Sequence, residues 1–86
     1  MENNLIKQAI NEKGFNDGTM QVVHLSSGHK YDCGDVLMVG YELTTNNIVV
    51  LVANNDDNHF WFNLDEIEKN AYFTYCNIVS EILNLK

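Results

Sequence analysis

The chain has no proline and no arginine, and only five glycines and two cysteines. Each shortage excludes something. Without proline there is no forced helix break and no Pro-rich linker, and no internal repeat or low-complexity spacer divides the sequence, so it reads as one domain over residues 1–86. Without arginine, and with only Lys7, Lys13, Lys30, Lys69 and Lys86 against 12 acidic residues, the net charge is −7. Phosphate backbones are held by clustered Lys and Arg, so direct binding to nucleic acid is not expected. Two distant cysteines, Cys33 and Cys76, do not make a secreted disulfide framework, and both are expected as free thiols. No stretch approaches the roughly 18 apolar residues of a membrane span. Residues 1–13 mix acids and amides among their apolar positions, unlike a signal peptide. The expectation is a soluble, cytoplasmic chain with no membrane partner.

What the sequence does have is concentrated in residues 48–64. Ile48, Val49, Val50, Leu51, Val52 and Ala53 form a short, β-branched run, whereas a helix would need about 10 to 12 residues. The run therefore reads as a strand buried on both faces. Asn54, Asn55, Asp56, Asp57 and Asn58 supply turn chemistry, and Phe60, Trp61 and Phe62 follow as the returning strand of a hairpin. This hairpin is expected to be the core ribbon.

Upstream, Asn3 or Asn4 can cap a short helix that places Leu5, Ile6, Ala9 and Ile10 on one face, with Gly14 as a left-handed terminator. The turn residues Asn16, Asp17 and Gly18 lead into a strand over residues 19–25, with Met20, Val22 and His24 on one face. Residues 29–35 are polar and read as a loop or irregular strand. Alternation returns over residues 35–43, where Gly40 marks a bulge or a close approach. Downstream of the ribbon, Asn63 and Glu66 read as a capping-box variant opening a long C-terminal helix, with Asp65, Glu66 and Glu68 favoured by the helix dipole. Leu64, Ile67, Ala71, Tyr75, Ile78, Ile82 and Leu85 form its apolar stripe, widened by Tyr72, Cys76, Val79 and Leu83. Phe73 falls on the opposite side and should be exposed.

These elements give an α+β fold: a short N-terminal helix, a four-stranded antiparallel meander and a long C-terminal helix. Both faces of the ribbon carry apolar residues. Either the meander curls into a small SH3-like barrel, or a second subunit covers its second face, which makes a homodimer the expectation.

Chemistry is sparsely represented. His24, His29 and Cys33, with Asp32, Asp35 or His59 nearby in type, lack the close ligand pairs of a zinc motif, so no metal or other cofactor is expected. A Cys33 nucleophile would lack an orienting partner, and adjacent Asp32 and Asp35 disfavour its thiolate. No phosphate loop, dinucleotide fingerprint or catalytic Ser/His/Asp pattern is present, so the chain reads as a non-enzyme.

Interaction features are better represented. Trp61 and Phe73 are candidate anchors, since aromatic residues dominate interface hot spots. Asp56, Asp57, Asp65, Glu66 and Glu68 are expected to form an acidic edge where the last turn meets the last helix. An acidic rim around aromatic anchors suits a basic groove, such as a nucleic-acid-processing enzyme presents. The expected function is therefore a small acidic protein-binding module of the immunity or anti-defence kind, inhibiting a partner by occupying its nucleic-acid-binding surface. The alternative is a homo-oligomeric structural or scaffolding protein.

Overall fold

The structure, a computed structural model, describes residues 2–85. The chain runs α1 (Glu2–Lys13), β1 (Phe15–Asn16), β2 (Met20–His24), β3 (Lys30–Tyr31), β4 (Gly34–Glu42), β5 (Ile48–Asn54), β6 (His59–Asn63), α2 (Leu64–Asn70) and α3 (Tyr72–Leu83). The strands form one antiparallel sheet in the order β1-β2-β4-β5-β6, with β3 paired to β4 off this path. The α+β class is as expected. The sheet is open rather than barrelled, however, and it has six strands where four were expected.

The extra strands are the two-residue β1, before the expected Asn16-Asp17-Gly18 turn, and β3, whose turn chemistry the sequence conceals. Tyr31 pairs with Gly34, and both residues between them, Asp32 and Cys33, have positive φ (51° and 62°). That is the type I′ hairpin geometry, usually supplied by Asn-Gly or Asp-Gly. Of the two alternatives for residues 29–35, the structure has short strands closed by a tight hairpin turn rather than a loop.

All three helices lie on one side of the sheet. Ile6 and Ile10 of α1, Leu64 and Ile67 of α2, and Ile78 and Ile82 of α3 pack with Val39, Val50 and Val52 in a single cluster. Seven of these nine side chains are wholly inaccessible, and each buried aliphatic side chain contributes about 1.5–3 kcal/mol, so this layer dominates stability. Polar contacts fasten its margins. The Tyr41 hydroxyl donates to Oδ1 of Asn11 at 2.5 Å, joining β4 to α1. Thr74 donates to the Lys30 carbonyl at 3.2 Å, and Asn70 donates to the Tyr31 hydroxyl at 3.3 Å, so the β3–β4 hairpin rests on the α2–α3 junction.

The C-terminal helix is two helices. At Ala71 the backbone leaves helical geometry (φ −150°, ψ 68°), although neither glycine nor proline marks the position. Its N–H still donates to Ile67 O, and Tyr75 N–H resumes the ladder on Ala71 O. The interruption lasts one residue. It changes which side chains face inward: Tyr75, Ile78, Val79 and Ile82 are buried, while Tyr72, Cys76 and Leu83 are exposed. Asn63 occupies the N-cap position of α2, but its side chain makes no capping bond, so the expected capping box is absent.

One glycine reading changes, and a second is decided between its two alternatives. Gly14 follows α1, where its N–H donates to Ile10 O at 2.8 Å, but it is not left-handed. A Cβ there would collide with the carbonyl oxygens of Val22 and Ile10, so close backbone approach is what requires glycine. Gly40 is likewise a close-approach site, since a Cβ would lie 2.7 Å from Cγ1 of Val22. The bulge itself falls between Val36 and Met38.

The second face of the sheet carries Val22, Val49 and Leu51, which lie outside the helix-backed cluster yet are only 1%, 7% and 9% exposed. The register places them among larger neighbours: Phe15 beside Val22, Met38 and Trp61 on either side of Leu51. Long side chains within the sheet thus shield the short aliphatic ones. The residual apolar exposure lies at the margins, at Phe15 and Trp61.

Candidate partner-binding surface

The last strand is the element on which the candidate residues converge. Its position follows from topology, because in an antiparallel meander the final strand lies at the rim. Among the described residues β6 pairs only with β5, and its other side has no strand partner. The expected core ribbon is therefore asymmetric. Residues 48–52 of β5 are all buried, whereas Phe60 and Trp61 of β6 are 47% and 43% exposed.

The structure separates the six candidate residues. Asp56 and Asp57 lie in the β5–β6 turn, at the His59 end of the strand. Asp65 and Glu66 lie in the first turn of α2, beyond Asn63 at the other end. With a rise of about 3.3 Å per residue, the length of β6 puts roughly 13 Å between its two ends. The four acids therefore bracket β6 rather than forming one acidic edge. Trp61 pairs with Leu51 and faces the helix-free side of the sheet, while Phe73 stands 80% exposed on α3 in the helical layer. The two aromatic anchors occupy different faces.

The turn that carries Asp56 and Asp57 is well ordered by local bonds. Asp57 N–H donates to Asn54 O at 3.1 Å, and Asn54 N–H donates to Asn58 O at 3.0 Å. Oδ1 of Asn54 accepts from Asp56 and Asn58 N–H at 2.9 and 3.1 Å. Asp57 adopts positive φ (61°), the position such three-residue hairpin turns usually give to glycine.

A second polar cluster escapes sequence reasoning because its members are far apart in the chain. The Glu81 carboxylate accepts from Ser26 N–H and Ser26 Oγ, both at 2.7 Å, and from Nε2 of His29 at 2.6 Å. Burial pushes this carboxyl up, but the hydrogen bonds from His29 and Ser26 outweigh it and hold Glu81 below its ordinary value. Serine, histidine and acid meet here without forming a nucleophile. Both Ser26 and His29 donate to the same oxygen, Oε1, so the hydroxyl is not presented to the imidazole as a base. The cluster ties the β2–β3 connection to α3.

Among the described residues no three His, Cys, Asp or Glu side chains are grouped to hold a metal ion. Cys33 and Cys76 are both free and exposed. A groove of about 590 Å³ opens on the helix-free side, lined in part by His24, Leu37, Met38, Leu51 and His59. A smaller cleft of about 210 Å³ lies between the β4–β5 turn and α2, lined largely by amides and acids such as Asn46, Asn63, Asp65 and Glu68. No described helix is long and apolar enough to cross a membrane.

Comparison with known proteins finds no family model, curated protein or solved structure that matches the chain.

Proposed function

We propose that this protein is a small acidic binding module, acting in the cytoplasm without catalysis, that inhibits a basic partner by occupying its nucleic-acid-binding surface. The observation that carries the reading is an uncharged, exposed aromatic strand with two carboxylates beyond each end, Asp56 and Asp57 at one and Asp65 and Glu66 at the other. Charge of one sign at both ends favours approach of a basic surface and disfavours an acidic one. Phe73 offers a further apolar contact from the helical layer.

The test is affinity capture from the natural host, followed by competition. A captured nucleic-acid-processing enzyme should lose its nucleic acid as this protein is added. Capture should weaken as salt rises, and again when Asp56, Asp57 and Glu66 are replaced by their amides. Salt-insensitive recovery of the protein alone would favour the second reading, a homo-oligomeric scaffold. That alternative draws on the exposure of Phe15 and Trp61 on the helix-free face. It ranks second because Val22, Val49 and Leu51 on that face are already covered within one chain.

A further inference from the structure

The closing bond of the β5–β6 hairpin fixes which backbone groups of β6 are unused. Asn54 N–H donates to Asn58 O, so these two residues form a hydrogen-bonded pair, and such pairs alternate along an antiparallel ladder with pairs that exchange no bond. The register continues without a shift as Ala53 with His59, Val52 with Phe60, Leu51 with Trp61, Val50 with Phe62, and Val49 with Asn63. Phe60 and Phe62 therefore spend their backbone groups on β5. His59, Trp61 and Asn63 direct theirs to the open rim, except that the Asn63 carbonyl lies at the start of α2 and serves the helix.

This rim carries none of the usual protections. Natural edge strands are shortened, bulged, or guarded by lysine or proline. The edge at the other end of the sheet, β1, is only two residues long. By contrast β6 is five residues long, unshifted, and contains no Lys, Asp, Glu or Pro.

We propose that β6 takes up an extended segment of a partner protein as an additional strand, and that this segment has an uncharged, β-branched centre with lysine or arginine at both ends. This rests on the reading of the protein as an acidic binding module, and gives it a binding mode. Backbone bonds to His59, Trp61 and Asn63 supply the pairing, and Trp61 and Phe60 supply apolar contact on opposite faces of the added strand. Charge complementarity selects the occupant. A second copy pairing antiparallel about Trp61 would bring its Asp65 and Glu66 towards Asp56 and Asp57 of the first, four carboxylates at each end of the seam. A segment with basic ends meets opposite charge at both ends, whichever direction it runs.

The probe is the peptide Lys-Lys-Thr-Val-Thr-Val-Thr-Lys-Lys, titrated against the full chain, with the same peptide carrying Glu in place of Lys as its control. Binding should slow amide exchange at His59, Trp61 and Asn63 while leaving Phe60 and Phe62, already bonded to β5, unchanged. The Glu-ended peptide should bind at least about tenfold more weakly, a difference of about 1.4 kcal/mol. Asn63→Pro removes one outward N–H at a residue whose φ of −68° already suits proline and whose side chain makes no capping bond. It should melt near the parent temperature and bind the Lys-ended peptide about tenfold more weakly. Should that variant unfold, the exchange pattern of the parent chain decides alone. Unchanged exchange along the rim on saturation with peptide would overturn strand addition. Equal affinity for both peptides would overturn the choice of a basic-ended occupant, as would rim protection that rises with protein concentration in the absence of peptide, which would make the occupant a second copy. Amide variants of Asp56, Asp57, Asp65 and Glu66 separate the two layers of argument. If they abolish binding and Asn63→Pro does not, strand addition falls and the acidic module stands; if binding needs the rim but not the carboxylates, strand addition stands while the basic-ended occupant and the acidic module fall.

Discussion

Nε2 of His29 lies 2.6 Å from Oε1 of Glu81, across 52 positions of sequence, and the same carboxylate oxygen also accepts the Ser26 hydroxyl. An ionised carboxylate can only accept, so His29 holds its Nε2 proton towards α3. The pair anchors the connection between β2 and β3 to α3.

This anchor makes stability depend on pH in a definite direction. Glu81 has its folded value lowered below about 4.5, so its contribution is fully present above that pH and is lost as pH falls through the folded value. Glu81→Gln should melt at a lower temperature than the parent at neutral pH, and the difference should shrink as pH falls below about 4.5. Thermal melts from neutral to acid pH check this; parallel curves would show that Glu81 does not carry the effect.

Gly40 makes a second, sterically determined contact. A Cβ at this position meets Cγ1 of Val22 at 2.7 Å and Gln21 O at 2.9 Å, neither of which has room to withdraw in the centre of a sheet. Gly40→Ala should destabilise by about 1–3 kcal/mol, read from urea unfolding. A neutral or stabilising result would mean that β2 and β4 separate more readily than their pairing implies.

The hairpin at Asp32 and Cys33 can be improved. Both residues occupy the left-handed region, which costs a non-glycine residue about 1–2 kcal/mol, less for Asp than for Cys. Cys33→Gly converts the turn to Asp-Gly and should raise stability by roughly 0.5–1 kcal/mol, offset in part by the greater entropy of unfolded glycine. A chemical denaturation midpoint that falls instead would count against this turn geometry.

Phe73 and Ile78 sit on one helix and should behave in opposite ways. Ile78 is inaccessible in the helix-backed core, and Ile78→Ala should cost about 2–5 kcal/mol. Phe73 is 80% exposed, so Phe73→Ser should change stability by less than about 0.5 kcal/mol while weakening capture of a protein partner. Loss of stability in Phe73→Ser would place that ring in the fold rather than on a binding surface.

Several of these features were legible in the residue pattern. The six-residue run 48–53 marked the most buried strand, the alternation around Val22 and Val39 marked two more, and the periodicity of Ile67, Ile78 and Ile82 marked the helical face. The exposure of Phe73 also followed from its place on the helical wheel. Such readings succeed because periodic burial is a local property, written in spacings of two or about 3.6 residues. The turn at Asp32 and Cys33 was not legible, because neither residue is one that positive φ favours strongly enough to announce it. The break at Ala71 left no mark either, since alanine is compatible with an uninterrupted helix.

The sequence by itself determined the class of fold, the acidic balance, the absence of arginine and the strand buried on both faces. Only the tertiary structure decided that the sheet stays open, that Ser26, His29 and Glu81 meet, and that the acids at 56, 57, 65 and 66 stand at opposite ends of β6. Periodicity records which way a side chain points relative to its own backbone. It carries no record of whether the first and last strands meet, because that is set by how distant segments pair.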